Sequence, residues 1–281
     1  MANWFKLLRP RHWLKNLILF FPPFLGGVLF DKGVLLKGLW PLVAFCLASS
    51  AVYVINDILD RENDILHPEK KQRPIASGAV RPAHAIVLAI ALLLISLLVS
   101  LQLPIQFLCW LGAYLGLSFA YSLSLKNLPV SDIFCIASGF VFRLFAGGSA
   151  FGVEVSDWLF LSVLLLAIFL SAGKRLSEKE VLGETSGEHR KSLVAYPDGV
   201  LDGFMFMSGA AVLVTYTMYV ITMHRLVFTV PLCCFGLFRY ALLVKGGASG
   251  DPTDSLVKDP VMFMVGLSWA VMVGLSTYFK V

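Results

Sequence analysis

Residues 39–74 read LWPLVAFCLASSAVYVINDILDRENDILHPEKKQRP, and this stretch predicts the fold class. Its first 18 residues carry no charged side chain, whereas its last 18 contain five acidic and four basic side chains. A helix needs about 20 mostly apolar residues to cross a bilayer. The first half therefore predicts a membrane-spanning helix, and the second half predicts a charged segment at the membrane surface.

The composition of the whole chain agrees with a membrane protein. Of its 281 residues, 58% are hydrophobic and only 15% are charged, and the mean hydropathy is +0.79. Soluble domains of this length have more charge and less apolar surface. The five cysteines lack metal-ligand spacing and are interpreted as buried apolar residues. No cleavable leader is predicted at the N-terminus.

Apolar segments of spanning length recur along the chain and predict an all-α, polytopic membrane protein. Nine spans are expected, near 14–30, 39–56, 83–103, 105–123, 130–152, 157–173, 201–222, 225–244 and 261–280. The first is the weakest, because Pro22 and Pro23 would bend it. The longer connections, 57–82, 173–200 and 245–260, fall on one side, and the chain is expected to form a single integral-membrane domain, 1–281.

The distribution of basic residues orients this topology. Two of the 23 lysines and arginines, Arg143 and Arg239, fall within spans. Four lie on the side opposite the N-terminus: Lys32, Lys37, Arg225 and Lys280. All the others share the side of the N-terminus, which the positive-inside rule places in the cytoplasm. The long loops are therefore expected to be cytoplasmic, in the inner or plasma membrane.

Three aspartates in the charged segment have helical spacing. If the second span continues through them, Asp57, Asp60 and Asp64 lie within about 60° of one another, with Asn56 at the edge of the same face. Aligned carboxylates repel unless a cation lies among them, and oxygen ligands suit Mg²⁺, which often bridges carboxylates to substrate phosphates. Lys70, Lys71 and Arg73 would then contact the remaining phosphate charge. The alternative is a solvated loop whose bases contact lipid headgroups, although such a loop gives no reason to align three acids.

Three stretches carry a family resemblance: NDILDRENDILHPEKKQRPIASG, YSLSLKNLPVSDIF and FVFRLFAGGSAF. They resemble the motifs of the UbiA superfamily of intramembrane prenyltransferases. The resemblance implies nine helices around a central cavity, open to the cytoplasm and laterally to lipid. It also implies an Mg²⁺-dependent enzyme in which Asn56, Asp57 and Asp60 are catalytic, and in which Asn56, Asp57, Asp60 and Asp64 hold the metal.

One departure from that pattern points to a particular branch. The superfamily's prenyltransferases carry a second Asp-x-x-x-Asp motif after the sixth helix, but here the loop reads GKRLSEKEVLGETSGEHRKSLVAY. With RPRHWLKN, RYALLV and GDPTDSLVKDP, it resembles the decaprenyl-phosphate phosphoribosyltransferase branch. That branch is taken to transfer a 5-phosphoribosyl group from phosphoribosyl diphosphate to a polyprenyl phosphate. Two phosphorylated substrates imply more cations around the site.

The resemblance supplies a set of expected substrate-binding residues, mostly basic. They are Arg11, Lys15, Lys70, Arg73, Tyr121, Lys126, Arg143, Lys174, Arg175, Glu178, Arg190, Lys191 and Tyr196. The expected partners are phosphoribosyl diphosphate, a polyprenyl phosphate and the membrane, with no nucleic acid.

Several of these residues have structural alternatives. Arg11 and Lys15 could merely set topology, and Arg239 could extend toward the membrane surface. Arg143 in mid-span needs a partner, either Asp132 or a substrate phosphate. Outside this set, Asp251 and Asp254 flank a Pro-Thr turn and could either cap that turn or bind substrate.

Three functional classes remain open from the sequence. The first is phosphoribosyl transfer, and the second is prenyl transfer from a prenyl diphosphate to an aromatic or quinone-precursor acceptor. The third is transport of an anionic lipid or solute. Acids at the membrane surface, rather than at mid-span, argue against transport.

Overall fold

A computed structural model describes residues 2–66, 70–182, 191–222, 226–247 and 250–279. All the regular secondary structure within these residues is helical, which confirms the all-α prediction. The α-helices are α1 (Ala2–Leu8), α2 (Phe21–Leu25), α3 (Val34–Leu59), α4 (Arg61–Leu66), α5 (Pro82–Ser100), α6 (Ile105–Leu123), α7 (Ser131–Phe151), α8 (Asp157–Leu182), α9 (Lys191–Val194), α10 (Val200–Thr222), α11 (Val230–Lys245), α12 (Pro252–Lys258) and α13 (Pro260–Phe279).

Eight helices of the described residues are long and apolar enough to cross a membrane. They are α3, α5, α6, α7, α8, α10, α13 and α11, the last joined to the 3-10 turn Val227–Thr229. The predicted count of nine is not confirmed, because the first predicted span, 14–30, is not one regular helix. Helix α8 also continues to Leu182, well past the predicted end of its span at residue 173.

The N-terminal segment has its own geometry. A 3-10 helix, Pro10–Phe20, leads into the short α2, whose second and third residues are Pro22 and Pro23. Prolines lack the N–H that an α-helix would use at these positions, so a continuous α-helix through them is disfavoured. The 3-10 segment packs against α7 and α3, and this packing brings its polar side chains to the site described below.

The spanning helices differ in how much of their surface is buried inside the protein, which distinguishes central helices from peripheral ones. About half of the residues in the apolar windows of α3, α7 and α8 are buried inside the protein (50%, 50% and 56%), compared with 11% for α13. Helix α3 packs most extensively on α5, and α8 on α10. The outer faces carry exposed Leu, Ile and Phe side chains, as expected for surfaces in contact with lipid. The polar clusters therefore lie where the central helices meet.

Candidate active site

The aspartate-rich segment follows a helical path that is broken once. Helix α3 ends at Leu59 and α4 begins at Arg61. Backbone hydrogen bonds nevertheless continue across the break, from the Asp60 N–H to the Asn56 carbonyl (2.9 Å) and from the Asp64 N–H to the Asp60 carbonyl (2.8 Å). This backbone path keeps the motif in one compact region at the end of α3.

Two arginines compensate the carboxylates of Asp57 and Asp64. The Nη1 atom of Arg73 lies 3.1 Å from an Asp57 oxygen and 2.6 Å from an Asp64 oxygen. Arg9 also forms an ion pair with Asp57, and its guanidinium lies 5.1 Å from the ring centre of Tyr53. The Asp57 side chain is only 2% exposed, so its charge is balanced by protein cations rather than by water.

Asp60 belongs to a separate pair. Its carboxylate accepts a hydrogen bond from Asn56 Nδ2 at 2.9 Å and forms an ion pair with Lys126. Lys126 lies in the 3-10 turn Leu125–Asn127, between α6 and α7. The single stripe expected from helical spacing is thus divided into two groups, Asp57 with Asp64 and Asp60 with Asn56, because different cations approach them from different elements.

These four residues, Asn56, Asp57, Asp60 and Asp64, are called the acidic half of the site below. Within the described ranges, no group of three or more His, Cys, Asp or Glu side chains converges as a complete metal site. Mg²⁺ does not require such a cage, since it commonly binds one or two carboxylates together with substrate phosphates and water. The oxygen donors present therefore fit a magnesium ion shared with a phosphorylated substrate.

A second cluster brings together Lys15 on the 3-10 segment, Lys174 on α8 and Asp251 just before α12. Lys174 Nζ lies 3.0 Å, and Lys15 Nζ 3.7 Å, from the same Asp251 oxygen. Asp251 also caps α12, accepting a hydrogen bond from the Thr253 N–H at 3.0 Å, so capping and site contacts coexist. Burial alone would raise the pKa of the Asp251 carboxyl, but the Lys174 and Lys15 charges hold it well below its ordinary value. Lys15 and Lys174 are called the basic half.

Arg175, on α8, is the centre of a third cluster. Its Nε lies 2.7 Å from Asp132 and its Nη1 2.5 Å from Glu178, while Nη2 donates to the Tyr121 hydroxyl at 3.1 Å. The Tyr196 hydroxyl donates to the other Asp132 oxygen at 2.7 Å. The cluster therefore links α6, α7 and α8 with the segment after α9.

The backbone beside this cluster is strained. Val130 has a φ of 66°, which is rare for a β-branched residue. Its N–H donates to the Tyr196 hydroxyl at 2.5 Å. Burial of that hydroxyl, together with its hydrogen bond to Asp132, raises the pKa of Tyr196 above its ordinary value. These contacts hold the start of α7, and thus Asp132, in position.

Arg143 is buried in the middle of α7, where it contacts neutral polar and aromatic groups. Its Nε donates to Asn16 Oδ1 and its Nη1 to the Gly139 carbonyl, both at 2.7 Å. The guanidinium lies 4.3 Å from the Tyr114 ring centre. The alternative that paired Arg143 with Asp132 is wrong, because Asp132 is bound to Arg175.

The remaining predicted residues are distributed around this end of the bundle. Arg11 is exposed on the 3-10 segment, and Lys70 begins the 3-10 turn Lys70–Gln72. Lys191 is the first residue of α9, while Arg190 lies outside the described residues. Arg239 is paired with Asp259 at 2.7 Å.

The sequence analysis missed two residues of the site, Arg9 and His12. It also missed that Asp132 is the partner of Arg175. Arg9 and His12 lie in RPRHWLKN, a motif noted at the start of the chain. Nothing in its spacing indicates which side chain contacts Asp57. Asp132 was noted only as a possible partner of another arginine.

Comparison with known proteins places these observations in a family. The family model described as "UbiA prenyltransferase family" matches residues 20–267. Decaprenyl-phosphate phosphoribosyltransferase of Mycolicibacterium smegmatis is 33% identical, over 98% of this chain and 92% of the relative. The protein of the same name from Mycobacterium tuberculosis is 34% identical, over 99% and 95%.

A solved structure confirms the fold. A UbiA homologue from Archaeoglobus fulgidus, bound to DMAPP and Mg²⁺, superposes with a TM-score of 0.77 at 22% identity, covering 97% of this chain and 99% of that one. The family model covers most of the chain, and the curated relatives match almost end to end. The chain therefore belongs to the UbiA prenyltransferase family and is an enzyme.

Proposed function

We propose that this enzyme transfers a 5-phosphoribosyl group from phosphoribosyl diphosphate to a polyprenyl phosphate and releases diphosphate. The observation that carries the proposal is the near end-to-end likeness, at 33–34% identity, to proteins named decaprenyl-phosphate phosphoribosyltransferase. In the reaction, the bond from ribose C1 to the diphosphate oxygen breaks. Its electron pair leaves with diphosphate, and an acceptor phosphate oxygen forms the new bond to C1.

The acidic half fits the leaving group. Asn56, Asp57, Asp60 and Asp64 would hold magnesium, and the metal would neutralise charge that develops on the departing diphosphate. Arg73 and Lys126 lie against these carboxylates, and could exchange carboxylate oxygens for phosphate oxygens. The acceptor phosphate is already ionised at neutral pH, so the reaction requires no general base to activate it.

The basic half fits the other phosphate groups. Lys15 and Lys174 share one carboxylate, that of Asp251, so one of the two charges is left for a substrate anion. Arg175 and Glu178 stay proposed substrate ligands, as do Tyr121 and Tyr196, although their side chains contact one another or Asp132. We further propose that this end of the bundle faces the cytoplasm, where a soluble phosphorylated donor would be available.

The proposed function is tested by measuring which donor substrate the enzyme uses, phosphoribosyl diphosphate or a prenyl diphosphate. Purified protein in detergent with Mg²⁺ is expected to release diphosphate from phosphoribosyl diphosphate only when a polyprenyl phosphate is present. The second candidate is prenyl transfer from a prenyl diphosphate to an aromatic acceptor, which is favoured by the fold likeness to the homologue bound to DMAPP. Diphosphate release from a prenyl diphosphate, with none from phosphoribosyl diphosphate, would replace the proposal with this candidate.

A further inference from the structure

One nitrogen near the site lacks a partner. Among the described residues, Nδ1 of His12 is the buried side-chain polar atom that has no hydrogen bond. Buried polar groups are nearly always paired, because leaving one unpaired costs about 1–3 kcal/mol. An unpaired atom beside a substrate site is therefore a candidate contact for the substrate.

The position of the His12 ring is fixed by Tyr53. The two ring centres are 5.1 Å apart with a tilt of 56°, and the same Tyr53 ring carries the guanidinium of Arg9 at 5.1 Å. Arg9 in turn contacts Asp57. His12 thus lies next to the acidic half, on the segment that also carries Lys15.

The charges acting on His12 are mostly positive. They come from Arg9 and Lys15 on its own segment and from Lys174 on α8, while Asp251, just before α12, is the negative one. Burial and these cations lower the pKa of His12 to about 4, so the imidazole is neutral at physiological pH. Because the charges that act most strongly on His12 are those of three cations and one carboxylate, a ligand of its unpaired nitrogen is more favourably an anion than a neutral hydroxyl group.

We propose that Nδ1 of His12 donates a hydrogen bond to a phosphate oxygen bound between the acidic and basic halves. A neutral imidazole with its proton on Nδ1 can make this contact. An arriving phosphate would also offset the neighbouring cations. This proposal rests on the proposed function only for identifying phosphoribosyl diphosphate as the substrate that supplies the phosphate. Inorganic diphosphate offers the same kind of phosphate oxygen and can be used to test the contact.

The experiment measures binding of inorganic diphosphate, with Mg²⁺, to the purified protein by isothermal titration calorimetry. His12→Phe keeps a ring against Tyr53 and removes the nitrogen, so the dissociation constant is expected to rise about tenfold to a hundredfold. His12→Asn supplies an N–H close to the position of Nδ1 and is expected to stay within about threefold of wild type. His84→Phe, at an exposed histidine on α5, is the matched control and should bind like wild type.

The unfolding midpoint of each variant is measured in the same detergent, and His12→Ala replaces the phenylalanine variant if that one does not fold. Wild-type affinity in the nitrogen-free variant would overturn the proposal. So would an asparagine variant as weak as the phenylalanine variant, or a wild-type protein that binds no diphosphate. Failure of phosphoribosyl transfer, with the expected binding pattern intact, would count against the proposed function alone.

Discussion

Asp57 and Asp132 are both buried carboxylates held by more than one donor, yet they lie in separate clusters. Asp57 contacts Arg9 and Arg73, whereas Asp132 contacts Arg175 and the Tyr196 hydroxyl. Removing one member of a buried ion pair costs about 3–5 kcal/mol, because the other charge stays buried. At the level of residues, loss of binding must therefore be separated from loss of folding.

Asp60 offers the cleanest test of the metal assignment. Its side chain is 20% exposed and pairs with Lys126, and Asp60→Asn is nearly isosteric. We expect a folded protein whose magnesium-dependent kcat/KM falls by at least about a hundredfold, since one anionic ligand is lost. Turnover is measured across a magnesium titration. Asp254→Asn, at a surface pair with Lys258, is the control, and near-wild-type activity of Asp60→Asn at low magnesium would exclude the assignment.

Lys174 and Arg175 are neighbours with different expected phenotypes. Lys174 pairs with a partly exposed carboxylate, so Lys174→Ala should mainly raise the KM for phosphoribosyl diphosphate, by about one to two decades. Arg175 is 1% exposed, so Arg175→Ala should also lower the free energy of unfolding, by about 3–5 kcal/mol. Steady-state kinetics and thermal unfolding together distinguish them. Equal unfolding midpoints in the two variants would contradict this division.

The lowered pKa of His12 leads to a prediction about how the stability of the protein depends on pH. Its pKa is lowered from 6.5 to about 4 in the folded protein, so between these values the unfolded chain binds a proton that the folded protein does not. Stability should therefore fall as the pH is lowered through 6.5 toward 4. In His12→Phe, the part of this loss of stability that is due to protonation of His12 should be absent. Unfolding midpoints are measured from pH 7.5 to 4.5, with His84→Phe as control, and parallel curves for wild type and His12→Phe would refute the expectation.

At the scale of elements, the contact between the 3-10 segment and α7 positions much of the site. A methyl group at Gly147 would overlap the backbone of Leu19, so only glycine allows the two elements to approach this closely. The same contact brings Asn16 to Arg143 at 2.7 Å. The segment that carries Lys15 and His12 thus depends on one glycine in a neighbouring helix.

Gly147→Ala should push the 3-10 segment away from α7. Overpacking of this kind costs about 1–3 kcal/mol, and the displaced Lys15 and His12 should lower turnover even where the protein stays folded. Unfolding midpoint and kcat/KM are the measurements. Gly116→Ala, on α6 where an added methyl group meets nothing within 4 Å, is the control. Wild-type behaviour of both variants would show that the close approach is unimportant.

The spanning helices could be predicted because their signal is local. An apolar run such as 39–56 identifies α3 without knowledge of its neighbours. The geometry of the N-terminal segment could not, since Pro22 and Pro23 predict a bend but neither they nor hydropathy specify that Pro10–Phe20 forms a 3-10 helix. Pairs such as Asp132 with Arg175 join residues 43 apart in sequence, and charge patterning carries no information about such distances. The aspartate motif was therefore predictable, but its cationic partners were not.

At the scale of the whole molecule, contacts fix which connections share one end of the bundle. Lys126, between α6 and α7, reaches Asp60 at the end of α3, so these two connections lie on the same side. Residues between α7 and α8, such as Glu154, belong to the opposite end, one span away. The excess of basic residues then predicts that the site faces the cytoplasm.

This orientation is testable by labelling. In a variant whose five native cysteines are replaced by alanine, a cysteine is introduced at the exposed position of either Asn127 or Glu154. A membrane-impermeant maleimide added to intact cells should label Glu154→Cys and leave Asn127→Cys unlabelled until the cells are lysed. The reverse pattern would place the site outside the cytoplasm and remove the proposed access to a soluble donor.

The pairing of Lys15 with Asp251 has a consequence for how the enzyme is made. The contacts among Arg9, Asp57, Asp64 and Arg73 need no residue after Arg73, so they can form while a ribosome is still translating the residues that follow. Asp251 is synthesised only after helices α3 to α11, which include seven of the eight spanning helices of the described residues. The basic half therefore gains its carboxylate only after these helices have been made, which delays assembly of the full site until most of the bundle that encloses it exists.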